Sequence, residues 1–441
     1  MSIFKAYDIR AIYPEELNES LAKKIGNCFA QIIDGKTILI SRDMRESSKP
    51  LMEALIEGIL DTGRDVIDIG LASTPMMNFA VGEFGYDAGV QVTASHNPKE
   101  YNGFKTVGKE TIPIGYETGL NTVEERVKGN QFVKSKRRGK RLKKNLLGEY
   151  IDYVLRFKDE IKPMKVVVDA SNGMAGYTLP QILQELPGEF RKLFFKMDGT
   201  FPNHESNPLV KENLSVLRET VVREGADFGV IFDGDADRSC YVDEGGNIIR
   251  PDLITGIIAE EVLEGRKGEK ILLDVRTSWA VKEKIEEFGC TPIRVKVGHA
   301  YARRKLREVN AILGGELAGH YYFRENFFCD SGVIAFLYLL RTLTRKVKPI
   351  SELVKPLMKY PGTGEVNFKT DKKDEIIAKM KEVYSDGSIS LLDGLTVEYE
   401  NWWFNLRKSN TEPYLRLNVE AKNKKVFEKK EKEVIDRIKN V

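Results

Sequence analysis

Ala226-Asp227-Phe228-Gly229-Val230-Ile231-Phe232 runs directly into Asp233-Gly234-Asp235-Ala236-Asp237-Arg238. An apolar run of strand length that stops on an acidic, glycine-containing turn reads as a buried strand ending in a polar loop. The same grammar stands earlier, where Ala88-Gly89-Val90-Gln91-Val92 leads into Thr93-Ala94-Ser95-His96-Asn97-Pro98. It returns where Ala311-Ile312-Leu313 leads into Gly314-Gly315-Glu316-Leu317-Ala318-Gly319-His320. Upstream of each lie two further strand signals with a helical pattern between them. These are Lys36 to Ile40, Pro50 to Leu60 and Asp65 to Ile69; Lys165 to Asp169, Leu179 to Leu186 and Lys192 to Lys196; and Lys270 to Asp274, Trp279 to Phe288 and Pro292 to Val297.

Strands alternating with helices across short turns mean α/β domains with mixed, largely parallel sheets, and three such units in tandem make an internal triplication. Loops at the carboxyl ends of parallel strands are where such sheets bind ligands. The three loops are therefore expected to share one central cleft. Past residue 358 the pattern stops. Pro361-Gly362-Thr363-Gly364 reads as a linker, followed by helices near Asp374 to Tyr384 and Lys424 to Lys439 and by strands at Thr396 to Tyr399, Trp402 to Leu406 and Tyr414 to Val419. This is a smaller C-terminal α+β domain, and the expected boundaries are 1–144, 145–249, 250–358 and 359–441.

The 441 residues are too many for a single core, and 41% hydrophobic with 31% charged residues describes an ordinary globular chain. A formal charge of +3 argues against a nucleic-acid partner. Four cysteines, Cys28, Cys240, Cys290 and Cys329, form no C-x-x-C pair, which points to a reducing cytoplasm. The first residues turn acidic too early for a signal peptide, and the longest apolar stretch, Val333 to Leu340, is far short of a membrane span. Lys134 to Lys144 carries eight basic residues in eleven, read here as a solvated connector in preference to a phosphate site.

Ser95 falls just before a turn set by Asn97-Pro98, so its hydroxyl is expected on an exposed loop, where it needs a base, a metal or a pre-attached group to act as a nucleophile. Asp233, Asp235 and Asp237 place three carboxylates on alternate residues; their mutual repulsion calls for a divalent cation. An EF-hand is disfavoured, although Glu244 falls at the twelfth position, because Arg238 holds the sixth, where glycine is required, and a strand precedes the loop. A phosphatase-type reading, with Asp233 taking the phosphate, stays open. Of the histidines His96, His204, His299 and His320, three stand beside Ser or Gly in the strand-end loops and could move protons near neutral pH. Arg407-Lys408-Ser409-Asn410-Thr411 offers a guanidinium, hydroxyls and an amide at a turn, a set suited to phosphate.

Taken in order, these four loops resemble those of the α-D-phosphohexomutases, and the similarity runs over essentially the whole chain. Tyr7-Asp8-Ile9-Arg10 and Val297-Gly298-His299 also match, while Tyr101-Asn102-Gly103-Phe104-Lys105 and Ser409 to Pro413 are similar to the phosphomannomutase/phosphoglucomutase subgroup. The resemblance implies a phosphohexomutase that interconverts mannose or glucose 1- and 6-phosphates through phosphoserine on Ser95. A hexose 1,6-bisphosphate would be its intermediate and activator, and Mg²⁺ would be held by Ser95, Asp233, Asp235 and Asp237. It implies catalytic roles for Ser95, Lys105, His299 and Arg10, with Lys105 favoured as a base of lowered pKa. Substrate contacts would come from Tyr7, His96, Arg238, Arg276, His299, Glu316, Ala318, His320, Arg407, Ser409, Asn410 and Thr411. Ala318 stands where relatives often have serine and Arg276 where they often have lysine, so phosphoglucosamine remains an alternative substrate. The expected partners are small sugar phosphates, with neither nucleic acid nor membrane, for a cytoplasmic monomer or homodimer.

Overall fold

The computed structural model describes residues 2–409 and 414–441. The chain divides into two compact units, residues 1–251 with 318–351 and residues 252–317 with 352–441.

In the first unit a six-stranded sheet runs in the order Ile9–Ile12, Tyr101–Gly108, Ala88–Val92, Thr37–Arg42, Asp65–Leu71, Arg141–Lys143. Thr37–Arg42 is parallel to both of its neighbours, whereas Tyr101–Gly108 returns antiparallel beside Ala88–Val92. Ile38, Leu39 and Ile40 are wholly buried. Helices cover both faces of such a strand, which is why it reads as an unbroken apolar run with no alternation. Two of those helices, Glu19–Ile32 and Ser48–Asp61, approach so closely that a Cβ on Gly58 would lie 1.9 Å from the Lys23 carbonyl oxygen. Only glycine fits there.

A second sheet of the same unit runs Ile248–Ile249, Ser239–Asp243, Phe228–Phe232, Met164–Asp169, Gly188–Leu193. Again the first strand of the trio lies in the middle, parallel to the second and third. The strand expected at Lys192 to Lys196 lies instead at Gly188–Leu193. The apolar Phe194 that suggested a later strand adopts a left-handed conformation (φ 53°), which ends the extended run.

The second unit repeats the order once more, Lys270–Asp274 lying between Thr291–Val295 and Leu313–Gly315 and parallel to each. Three trios with the order second-first-third bear out the triplication. The remainder of that unit is an antiparallel sheet, Val366–Lys369, Tyr414–Ala421, Trp402–Lys408, Leu395–Glu398, Ser388–Ser390. Helices Lys373–Val383 and Lys424–Lys439 close its core by placing Ile376, Met380, Val434 and Ile438 against Val397, Phe404 and Leu417.

The basic segment is bound by acids of its own unit. Arg141 forms ion pairs with Glu53 (2.5 Å) and Asp68 (2.7 Å), Arg138 pairs with Glu57, and Arg137 lies 3.5 Å from Asp65. Three of its eight basic residues thus pair with acids of the same unit. No helix among the described residues is long and apolar enough to cross a membrane.

Candidate active site

The site in the first unit begins where Ala88–Val92 ends. Ser95 adopts φ 52°, a left-handed conformation uncommon for serine, and its N–H donates to Thr93 Oγ1 at 2.9 Å. Thr93 in turn donates to Asp43 Oδ2 at 2.7 Å. The hydroxyl was expected on an exposed loop. It is wholly buried, because the acidic loop closes over it: Ser95 Oγ donates to Asp233 Oδ2 at 2.7 Å and lies 3.3 Å from His96 Nδ1. Gly234 makes that approach possible, since a Cβ there would sit 2.4 Å from the Ser95 carbonyl oxygen.

The acidic loop leaves Phe228–Phe232 with Asp233, Asp235 and Asp237 all buried. Each offers a carboxylate oxygen within 4.8 Å of the others. Lys105, on the return strand Tyr101–Gly108, donates to Asp235 Oδ2 at 2.7 Å and to Asp237 Oδ2 at 2.5 Å. Thr74 Oγ1 donates to Asp235 Oδ2 at 2.5 Å. Among the described residues, Asp235 Oδ1 and Asp237 Oδ1 are buried and accept no hydrogen bond. Orphaned buried carboxylate oxygens are costly, and a hard divalent cation satisfies them, so this donor set fits a metal ion of the magnesium or manganese kind.

The charges are unequal by design of the surroundings. Burial, with Asp237 and Asp235 nearby, pushes the Asp233 carboxyl well above the usual carboxylate range. Burial also acts against the charge on Asp237, but Lys105, His320 and Arg238 outweigh it and hold Asp237 below that range. For Lys105 the expectation of a lowered pKa is reversed. Burial does act to lower it, yet the Asp235 and Asp237 carboxylates prevail, and the ammonium is held more firmly than a free lysine. His96 is kept neutral by burial and by Arg238, Arg10 and Lys105.

Arg10 donates to Asn97 Oδ1 and to Asp8 Oδ2, both at 2.5 Å, and Arg238 Nε lies 3.8 Å from Asp233. His320 Nδ1 is 2.6 Å from Asp330 Oδ2 and 3.7 Å from Asp237 Oδ1. Ser95, His96, Lys105, Arg10, the three aspartates, Arg238 and His320 are thus one cluster. Tyr7 is half-buried nearby in sequence, and Ala318 is half-buried and brings no polar side chain.

The second unit assembles a different group. Glu365, at the end of the linker, accepts from Arg276 Nη1 (3.1 Å) and Arg407 Nη2 (2.8 Å) on one oxygen and from Arg416 Nη1 (2.9 Å) on the other. Arg276 is also held by Asp274 at 2.7 Å; although burial opposes its charge, Asp274 outweighs it and raises its pKa. Arg407 is buried, and burial together with the Arg276 charge pulls its pKa down. Glu316 Oε2 accepts from the N–H of Gly298, which places it beside His299; that histidine opens the helix His299–Val309 and does not lie in a loop. Ser409 N–H donates to the Tyr414 carbonyl at 2.9 Å, while Asn410 and Thr411 lie outside the described residues.

Sequence reading passed over Asp43, Arg45, Thr74, Ser206, Asp330 and Glu365. Asp43 alone had a local signal, because it follows a buried strand as Asp233 does.

A serine hydroxyl enclosed by carboxylates in repeated α/β domains suits an enzyme of phosphoryl transfer. Family models bear this out across the chain. The phosphoglucomutase/phosphomannomutase α/β/α domains I, II and III match residues 1–134, 148–246 and 250–360, and the C-terminal domain of that family matches 365–437. The chain is 39% identical over 434 residues to a phosphomannomutase of Escherichia coli, covering 96% of this chain and 95% of that protein. It is 39% identical over 424 residues to a protein of Xanthomonas campestris named for phosphohexose mutases, covering 95% of each. A solved structure of a phosphoglucomutase/phosphomannomutase family protein from Burkholderia thailandensis is 32% identical with a TM-score of 0.90, covering 99% of this chain and 97% of that one. The chain belongs to the phosphoglucomutase/phosphomannomutase family of phosphohexose mutases, which are intramolecular phosphotransferases.

Proposed function

We propose that the protein interconverts hexose 1-phosphate and hexose 6-phosphate, with mannose or glucose as the sugar, through phosphoserine on Ser95 and a hexose 1,6-bisphosphate. The observation that carries this reading is the 2.7 Å contact of Ser95 Oγ with Asp233 inside the triplet of carboxylates. In the first half-reaction a sugar hydroxyl oxygen forms a bond to the phosphorus carried by Ser95. The Ser95 Oγ–P bond breaks, and the hydroxyl proton passes to a nearby group. In the second half Ser95 Oγ gives up its proton and bonds to the other phosphorus of the bisphosphate, the bond from that phosphorus to its sugar oxygen breaks, and the sugar oxygen takes up a proton.

Asp233, Asp235 and Asp237, with the phosphate on Ser95, are the groups that would hold Mg²⁺, which when bound neutralises charge on the transferring phosphoryl group and the leaving oxygen. His96, held neutral within 3.3 Å of Ser95 Oγ, can accept a proton. Lys105, held as an ammonium, suits donation to an oxygen that is gaining charge. This is opposite to the base role expected of it. Arg10 and Arg238 add positive charge for the phosphoryl oxygens. Arg407, with Ser409, Asn410 and Thr411, would grip the phosphate that does not react, and Arg276 would share it. Glu316, His320 and His299 would hold ring hydroxyls, and Tyr7 would flank the sugar. The four free, buried cysteines support a reducing, cytoplasmic setting.

Asp233 has both carboxylate oxygens engaged, one by Ser95 and the other by the Arg238 N–H at 3.1 Å, which disfavours it as the phosphate acceptor. The test offers the purified protein glucose, mannose and glucosamine 1-phosphates with Mg²⁺ and hexose bisphosphate. Interconversion that disappears in Ser95→Ala is expected, along with an acid-stable phosphoserine in a peptide containing Ser95. A hydroxylamine-sensitive phosphate on Asp233 would overturn it.

A further inference from the structure

Arg45 lies in the turn between Thr37–Arg42 and Ser48–Asp61, 1% exposed, and its guanidinium is surrounded by carbonyl oxygens of the nucleophile loop. Nη2 donates to the carbonyls of Ser95 (2.9 Å) and Asn97 (2.6 Å). Nη1 donates to those of Pro98 (2.8 Å) and Tyr101 (3.2 Å). Nε faces Asp43 Oδ2 at 3.3 Å, which balances the charge. The four carbonyls span the connection from Ser95 to the first residue of the strand that carries Lys105.

The second domain roofs this arrangement. The Phe201 ring covers the guanidinium at 4.9 Å, and Ser206 Oγ makes a long bond of 3.3 Å to the same Ser95 carbonyl. A buried arginine whose charge is already balanced is a poor device for stability alone, since apolar residues of equal volume do as well. A planar fork with two two-bond nitrogens, however, fixes directions as well as distances, and a lysine ammonium cannot reproduce it. Ser95 needs such restraint, because its left-handed backbone persists only where surrounding contacts over-determine it.

On the mutase reading above, we propose that Arg45 is a positioning residue for phosphoryl transfer: its guanidinium sets the left-handed turn of Ser95 and the spacing of Ser95 from Lys105, and it touches neither substrate nor the transferred group. A displacement of the order of 1 Å at a reacting atom is enough to cost roughly 100-fold in rate while substrate binding is unaffected. The loss should therefore fall on kcat and leave KM alone.

The experiment measures kcat, KM and thermal unfolding for the wild type, Arg45→Lys and Phe201→Leu, each phosphorylated beforehand with hexose bisphosphate. For Arg45→Lys, kcat is expected to fall roughly 10- to 100-fold with KM changed less than about threefold. Phe201→Leu, which keeps every hydrogen bond but uncovers the guanidinium, is expected to lose several-fold in kcat at unchanged KM. Arg45→Ala is expected to regain part of its kcat in millimolar guanidinium chloride, a recovery that a general folding defect would not show. Wild-type kcat in Arg45→Lys, or losses in kcat that follow unfolding and resist guanidinium, overturns the proposal. If Arg45→Lys does not fold, a wild-type kcat in Phe201→Leu overturns it alone. A wild type that interconverts no hexose phosphates fails the mutase reading itself, which the same assay reports separately.

Discussion

On the mutase reading Ser95 and Lys105 hold the chemistry at the smallest scale, and each predicts a distinct failure. Ser95→Ala removes the only oxygen that the mutase reading allows to carry the phosphoryl group, and kcat should fall by a factor of about 1,000 or more at unchanged fold, read by a coupled assay and thermal melting. Lys105→Met is different. It leaves the buried carboxylates of Asp235 and Asp237 without their cation and should destabilise the metal-free protein by about 3–5 kcal/mol, measured by urea unfolding in chelator. Added Mg²⁺ should restore much of that loss. The candidate residues were legible because they stand at ends of apolar runs, where a serine or three alternate aspartates break the apolar pattern. Thr74 was not, since its partner Asp235 lies 161 residues away and nothing local marks it. Nor was the burial of Ser95, which comes from a loop of another domain.

At the level of elements, the connection that carries Phe201 and Ser206 is tied to the strand Met164–Asp169 by a histidine. His204 Nε2 lies 3.2 Å from the buried Asp169, and Nδ1 is 2.8 Å from its neighbour's carbonyl. Burial acts to lower the His204 pKa, but Asp169 outweighs it and the value is raised. A group with a raised folded pKa contributes its full stability below its unfolded value, about 6.5, and loses it as pH rises through the folded value. Melting temperature should therefore decline from about pH 6.5 upward in the wild type, and His204→Gln should lack that step; equal profiles would refute the pair. Gly58→Ala should destabilise by about 1–3 kcal/mol or more in urea unfolding, because its Cβ would meet the Lys23 carbonyl of the facing helix. Strand positions were readable where an unbroken apolar run stopped on a polar turn, as at Lys36 to Ile40. Helix Glu19–Ile32 was overlooked although Asn18 caps it, and Leu313–Gly315 begins where the expected third strand ends, since its two glycines look like a turn.

Across the molecule, the two units carry different clusters of charged groups. The first contains Ser95 and the carboxylates, and the second contains the arginines gathered on Glu365. A cation bound only by the folded first unit must stabilise the fold by mass action, about 2.7 kcal/mol at a hundredfold excess over Kd. Chelator should thus abolish turnover and lower the melting temperature, with both recovered on adding Mg²⁺. Asp235→Asn should blunt the thermal shift even before activity is measured, and an unchanged shift would count against the carboxylate cage. With a net charge of only +3, little long-range steering of an anionic substrate is available. On the mutase reading, capture would then depend on local arginines.

The strand order second-first-third, found three times, is the pattern that copying one module twice would leave. Once copied, each version could lose or gain a reactive group at the point where its third strand leaves the sheet, while the layered interior stayed bound by a common packing rule. One module bears the serine and another the acids, so a repeated frame need not carry a repeated task.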